Sequence, residues 1–184
     1  VTTVAALAVG GVVYMAADTC TNVYERPIIG GARKVRRIST GTGEALLGFC
    51  GSGGLPDVVA AHHKVTAEPT PDAGDDNVHG WAHAIACAIS DVARDAGLVD
   101  DGKLDGSVLL GWNGRLWTLV HHMAIPHLDG IAALGSGEGP AMGALDVLAE
   151  LQVAPVDAVR KAVLIGIHRD RYSEGPVQVE VLGV

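Results

Sequence analysis

Residues 1–18 read VTTVAALAVGGVVYMAAD, and the architecture can be worked outward from this stretch. Thr3–Val9 and Val12–Asp18 are two apolar runs rich in β-branched residues, separated by Gly10-Gly11, the two-residue signal of a tight hairpin. The same stretch carries a chemical option at its start. A threonine hydroxyl is a weak nucleophile until a base takes its proton, and its own terminal amine can be that base. An unperturbed α-amine titrates at about 7.7–8.0, so it can be neutral near physiological pH. Thr2 would hold both groups once Val1 is removed.

Further along, Val35–Thr40 and Ala45–Cys50 pair across Gly41-Thr42-Gly43 as a second hairpin. Leu55 to about Ala67 reads as a helix with Pro56 in its first turn, where a missing N–H costs little. A polar segment, Glu68 to Asn77, breaks it, and Asn77 is the expected N-cap of a second helix ending near Gly97. Val108–Trp112 and Leu116–His121 flank Asn113-Gly114, the plainest hairpin signal in the chain. Ile131–Leu134 is a short strand before Gly135-Ser136-Gly137, followed by helices over about Pro140 to Leu151 and Pro155 to about His168. Alternating Val177, Val179 and Val181 close on a strand. The order strands, two helices, strands, two helices, strand predicts an α+β fold. Two sheets would lie face to face with a helix pair outside each, a four-layer αββα sandwich spanning residues 1–184 as one domain.

Bulk properties narrow the function. The chain has 184 residues, 48% of them hydrophobic, with 25 glycines and one Phe, which suits a packed α/β protein with many turns. A formal charge of −8 argues against nucleic acid or an anionic membrane as partner. No apolar run approaches the roughly 20 residues that cross a bilayer. Cys20, Cys50 and Cys87 are too few and scattered for a disulfide framework or zinc site, so a reducing cytoplasm is the default location. His79 and His83 share a helix face, but a metal would need a third ligand from elsewhere; His62-His63 and His121-His122 point apart. Glycine-rich Gly51-Ser52-Gly53-Gly54 lacks the lysine of a phosphate loop. No metal or cofactor is expected.

Several residues together carry a resemblance. Thr2-Thr3 opening a strand, Asp18 ending the next, and Ala32-Arg33-Lys34-Val35-Arg36-Arg37-Ile38 resemble the proteasome β-subunit family, with most likeness to its bacterial HslV branch. Leu47-Gly48-Phe49-Cys50-Gly51 resembles that family's glycine-bearing strand end, and Ala133-Leu134-Gly135-Ser136-Gly137 its serine loop. The likeness keeps family order over nearly the whole chain, is most specific in the first forty residues and is weak from about 65 to 105. It implies an N-terminal-nucleophile hydrolase, a threonine endopeptidase acting on unfolded protein or peptides. It also implies a ring-shaped homo-oligomer and, as a separate protein, an AAA+ ATPase unfoldase.

Residue by residue, the resemblance makes Thr2 the nucleophile and its amine the base. Lys34 would place a positive charge beside both groups and disfavour protonation of the amine, with Asp18 holding it in place. The N–H of Gly48 would be the oxyanion donor, a contact typically worth about 10²–10³ in rate. Ser136, Asp170 and Ser173 would bond around the amine and orient its lone pair. Thr21, Ala32, Leu46 and Cys50 would shape the pocket for the side chain before the cleaved bond. Being small or apolar, they point to cleavage after medium apolar residues.

Taken singly, each of these has a plainer reading. Asp18 is a turn former, Lys34 part of a basic surface patch, Gly135-Ser136-Gly137 a simple turn, and Asp170 to Ser173 a helix exit. Two departures stand out. Val1 precedes Thr2, either as a GTG start read literally as valine, where the true initiator is a Met that the small Thr2 favours removing, or as a propeptide remnant that keeps the protein inactive until trimmed; and the glycine-rich turn after Cys50 is longer than usual. The alternatives are an amide hydrolase or acyl transferase with a narrow substrate, and a non-catalytic assembly subunit that keeps Val1.

Overall fold

The computed structural model describes residues 2–23, 26–62, 66–70 and 72–183. The opening hairpin is β1 (Val4–Val9) with β2 (Val12–Asp18), and a short pair follows, β3 (Thr21–Val23) with β4 (Arg26–Ile28). Next come β5 (Val35–Ser39), β6 (Glu44–Gly51), α1 (Leu55–His62) and α2 (Asp75–Asp95). A small pair, β7 (Val99–Asp100) and β8 (Lys103–Leu104), leads into β9 (Gly106–Trp112), β10 (Arg115–Val120) and β11 (Met123–Pro126). The chain continues through β12 (Ile131–Leu134), α3 (Glu138–Glu150), α4 (Pro155–Arg169) and β13 (Val177–Leu182).

The strands form two antiparallel sheets, ordered β12-β1-β2-β13 and β11-β10-β9-β6-β5. Alternation along each strand assigns its side chains to one of three apolar layers. Val4, Val13, Met15, Leu46, Leu109 and Leu116 meet between the sheets. Ala5, Leu7 and Ala16 turn the other way, onto Leu145 of α3 and Val159 and Val163 of α4. Leu47, Phe49, Val108 and Leu110 face Val59 of α1 and Trp81, Ile85 and Ile89 of α2. This is the four-layer αββα sandwich expected from the sequence. It also explains why β1 is buried at its first four positions: a central strand covered on both faces reads as a continuous apolar run. Each of these large side chains contributes about 1.5–3 kcal/mol by leaving water. Among the described residues, no helix is long and apolar enough to cross a membrane.

Three local expectations are corrected. Residues 66–70 are irregular, so the first helix does not run to Ala67. Glu68 donates its N–H to Thr40 O at 3.0 Å and accepts from Thr40, Thr42 and Trp112, which draws the segment over the β5–β6 turn. The second helix starts at Asp75 behind Gly74 with no side-chain cap; Asp75 and Asp76 in its first turn complement the helix dipole, and Asn77 is inside. The third helix starts at Glu138, before Pro140. Strands β3, β4, β7, β8 and β11 were not anticipated, since two to four residues give no readable alternation.

Candidate active site

Thr2 and Thr3 lead directly into β1, 2% and 0% exposed. Their burial is built from both ends of the chain. On one side, Asp18 at the end of β2 is fully buried and is met by three donors through four contacts among the described residues. Lys34 Nζ lies 2.9 Å from both carboxylate oxygens, Thr3 N–H reaches Oδ1 at 2.8 Å, and Cys20 N–H reaches Oδ2 at 3.1 Å. Asp18 N–H in turn donates to Thr3 O at 3.1 Å, continuing the β1–β2 ladder one step toward the terminus. Lys34 is fixed through its backbone, because Phe49 N–H donates to its carbonyl at 2.9 Å. A buried ion pair persists only when both charges are so satisfied; removing one partner typically costs about 3–5 kcal/mol.

On the other side, the turn between β12 and α3 wraps the terminus. Gly137 N–H donates to Thr2 O at 3.2 Å. A Cβ at Gly135, where φ is 97°, would fall 2.2 Å from that same carbonyl, and one at Gly137 would fall 1.9 Å from Thr3 Oγ1. Only glycine permits this approach. Ser136 Oγ lies 3.2 Å from the Thr2 nitrogen, which donates to it, and itself donates to Asp170 Oδ2 at 2.6 Å. Ser173 Oγ donates to the same oxygen at 2.6 Å and accepts from Thr3 Oγ1 at 2.8 Å. Burial alone would raise the Asp170 carboxyl. The Ser136 and Ser173 hydroxyls and the Tyr172 N–H outweigh it and hold the group below its ordinary value. A hydroxyl thus joins the Thr2 nitrogen to an ionised carboxylate, an arrangement that can hold or relay a proton at that nitrogen.

Thr2 and Lys34 also line a cleft of about 190 Å³ with Thr21, Ala32 and Cys50. Burial pushes the Cys50 and Cys20 thiols up, with Asp18 adding to the effect at Cys20, so neither favours its thiolate. Among the described residues, no group of three or more His, Cys, Asp or Glu could hold a metal ion. His79 and His83 lie on α2, away from this cleft, with His83 Nε2 3.6 Å from Cys87 Sγ.

No family model matches the chain, and no curated protein is similar to it in sequence. Solved structures are similar in fold. BPH, a bacterial proteasome homologue from Thiobacillus denitrificans solved in complex with epoxomicin, superposes with a TM-score of 0.80 at 16% identity, covering 98% of each chain. Eukaryotic HslV from Trypanosoma brucei gives 0.69 at 22% identity over 99% of each. Anbu, the ancestral beta-subunit from Yersinia bercovieri, gives 0.68 at 13% identity over 97% of this chain and 80% of that one. This chain has the proteasome β-type N-terminal-nucleophile hydrolase fold.

Within that proteasome-type fold, the structure brings Thr2, Asp18, Lys34, Ser136, Asp170 and Ser173 into one connected cluster, with Thr21, Ala32 and Cys50 on the adjoining cleft. It does not bring Gly48 or Leu46 there. Phe49 N–H faces β5 and Ser52 N–H donates to Asp105 O at 2.9 Å, on the β9 side. Ladder bonds alternate, so Gly48 N–H faces β9, where Leu109 is its partner. Gly48 is a packing glycine: a Cβ there would sit 2.8 Å from both Met15 Sδ and Val4 Cγ1. Leu46, two residues earlier on the same face, is fully buried between the sheets. By the same alternation Gly51 N–H faces the side where β5 has ended, and Gly51 lines the cleft. Val1, whose removal was expected, lies outside the described residues. Sequence reading gave no site role to Thr3, Arg36 or Asp57, although Thr3 and Arg36 stand in the stretches that carry the resemblance; Arg36 and Asp57 are ion-paired across 21 positions, and nothing in the sequence announces that pairing.

Proposed function

We propose that this chain is a threonine-type endopeptidase, acting on unfolded protein or peptides from within a ring-shaped homo-oligomer, with a separate ATPase as unfolding partner. The observation that carries the reading is the Thr2 nitrogen held by Ser136 and Asp170 while Lys34, locked by Asp18, lines the same cleft. With Val1 removed, that nitrogen is an amine. It takes the Thr2 hydroxyl proton as the oxygen attacks the peptide carbonyl, and returns it to the leaving amine; water then releases the acyl group by the same base. Lys34 disfavours a protonated amine by charge repulsion, and Ser136 orients it. The strand register and the lining of the cleft support Gly51 N–H, rather than Gly48 N–H, as the oxyanion donor.

The similar folds of HslV and BPH support the ring assembly, and epoxomicin bound to BPH supplies the probe. Intact mass before and after a peptide epoxyketone tests the whole reading, since the reagent needs a free threonine amine and its hydroxyl together. Loss of residue 1 with an adduct on Thr2 is the expected result. A chain that keeps Val1 and takes no adduct would be an assembly subunit instead. A monomer labelled at Thr2 that ignores generic peptides would be an amide hydrolase with a narrow substrate.

A further inference from the structure

The cleft carries charge that the catalytic cluster does not use. Among the described residues, Arg33, Lys34 and Arg36 line it together with one carboxylate, Asp57. Lys34 is committed to Asp18, which leaves Arg33 and Arg36 against Asp57. Arg36 Nη2 lies 2.5 Å from Asp57 Oδ1, but the two side chains are 30% and 77% exposed. Water screens such a pair, so a carboxylate brought by a peptide can share the guanidinium or displace Asp57. The Nε of the same guanidinium is buried and has no hydrogen-bond partner among the described residues. A buried donor left unmade is costly, and guanidinium presents its N–H groups in a planar fork that fits a carboxylate.

The facing wall leaves room for that ligand. Of Gly51-Ser52-Gly53-Gly54 the first three residues line the cleft, and only Ser52 brings it a side chain. Two sources of selectivity therefore coincide: space without bulk, and an under-satisfied cation at its edge. We infer that the cleft accepts an acidic side chain, glutamate or aspartate, immediately before the cleaved bond, with Arg36 selecting it and Arg33 strengthening the field. This rests on the peptidase reading above and replaces the medium apolar preference expected from the sequence.

The test uses the full chain, bearing Thr2 at its terminus, with fluorogenic peptides that differ only in glutamate, leucine or lysine before the reporter. The glutamate peptide should be favoured in kcat/KM by about tenfold or more over leucine, and lysine should be poorest. Arg36→Met should bring glutamate and leucine within about twofold, chiefly by lowering kcat/KM for glutamate, and Arg36→Glu should favour lysine. Asp57→Asn, an exposed change that does not depend on refolding the strand, should raise the glutamate preference further. Thermal unfolding identifies any variant that fails to fold. Leucine or lysine preference in the parent, or a glutamate preference unmoved by both Arg36→Met and Asp57→Asn, overturns the inference while leaving Thr2 chemistry intact. If no peptide is cleaved and no epoxyketone labels Thr2, the peptidase reading falls and this inference with it.

Discussion

Two carboxylates flank the Thr2–Thr3 terminus, and they are held in opposite ways. Asp18 is fully buried and faces a lysine, with backbone N–H groups completing its shell. Asp170 is partly exposed at the end of α4 and is held by hydroxyls and one backbone N–H, with no cation paired to it among the described residues. The first is a charge stored in the core, where loss of either partner strands the other. The second is a polar hub at the surface, where water can replace a lost partner. The difference teaches where two kinds of support separate: the Asp18 side is a buried ion pair on which the fold depends, whereas the Asp170 side reaches the Thr2 nitrogen through one hydroxyl.

The largest expected effect removes what both sides serve. Thr2→Ala should abolish peptide hydrolysis, a loss of about 10³-fold or more, with thermal stability nearly unchanged. Retained turnover would end the comparison by making both carboxylates structural. Lys34→Met should lose activity on a similar scale and also destabilise the fold by about 3 kcal/mol, because Asp18 is left charged and buried. At about 2–4 °C per kcal/mol for a chain of this size, Tm should fall by roughly 6–12 °C. A Tm within a degree of the parent would show that Asp18 needs no cation.

Asp170→Asn should be milder, about 10–100-fold in kcat, with Tm near neutral pH lowered by less than in Lys34→Met. Its pH dependence has a definite sign. The folded carboxyl sits below its ordinary value, so its contribution is complete above the unfolded pKa and lost as pH falls through the folded one. The parent and Asp170→Asn unfolding curves should therefore converge on acidification; divergence would contradict the hydroxyl-held carboxylate. The smallest effect belongs to a control distant from both. Burial opposes ionisation of Glu68, but bonds from Thr40, Thr42 and Trp112 lower it below its ordinary value. Glu68→Gln should cost about 1–2 kcal/mol at neutral pH, less as pH falls past the carboxylate range, and leave kcat intact.

How much of this was legible in the sequence depended on what fixed each residue. Asp18 and Lys34 end and precede strands with strong apolar patterns, so their placement follows from the hairpins that carry them. Ser136 and Asp170 were readable because glycines and a helix end mark them. Gly48 and Leu46 were misplaced for one reason. Spacing along a chain does not say which neighbour a strand's N–H faces, nor where the partner strand stops, and β5 begins only at Val35. Arg36 and Asp57 were invisible because an exposed ion pair between a strand and a helix leaves no local pattern.

The bond from Thr3 Oγ1 to Ser173 Oγ spans 170 positions of sequence. A ribosome makes Thr3 well before the Ser173 hydroxyl that seats it, an interval of roughly ten to thirty seconds at ordinary elongation rates. Throughout that interval the polypeptide carries a threonine with no seat. The order of synthesis thus delays this contact until the strands and helices that lie between the two residues have been made.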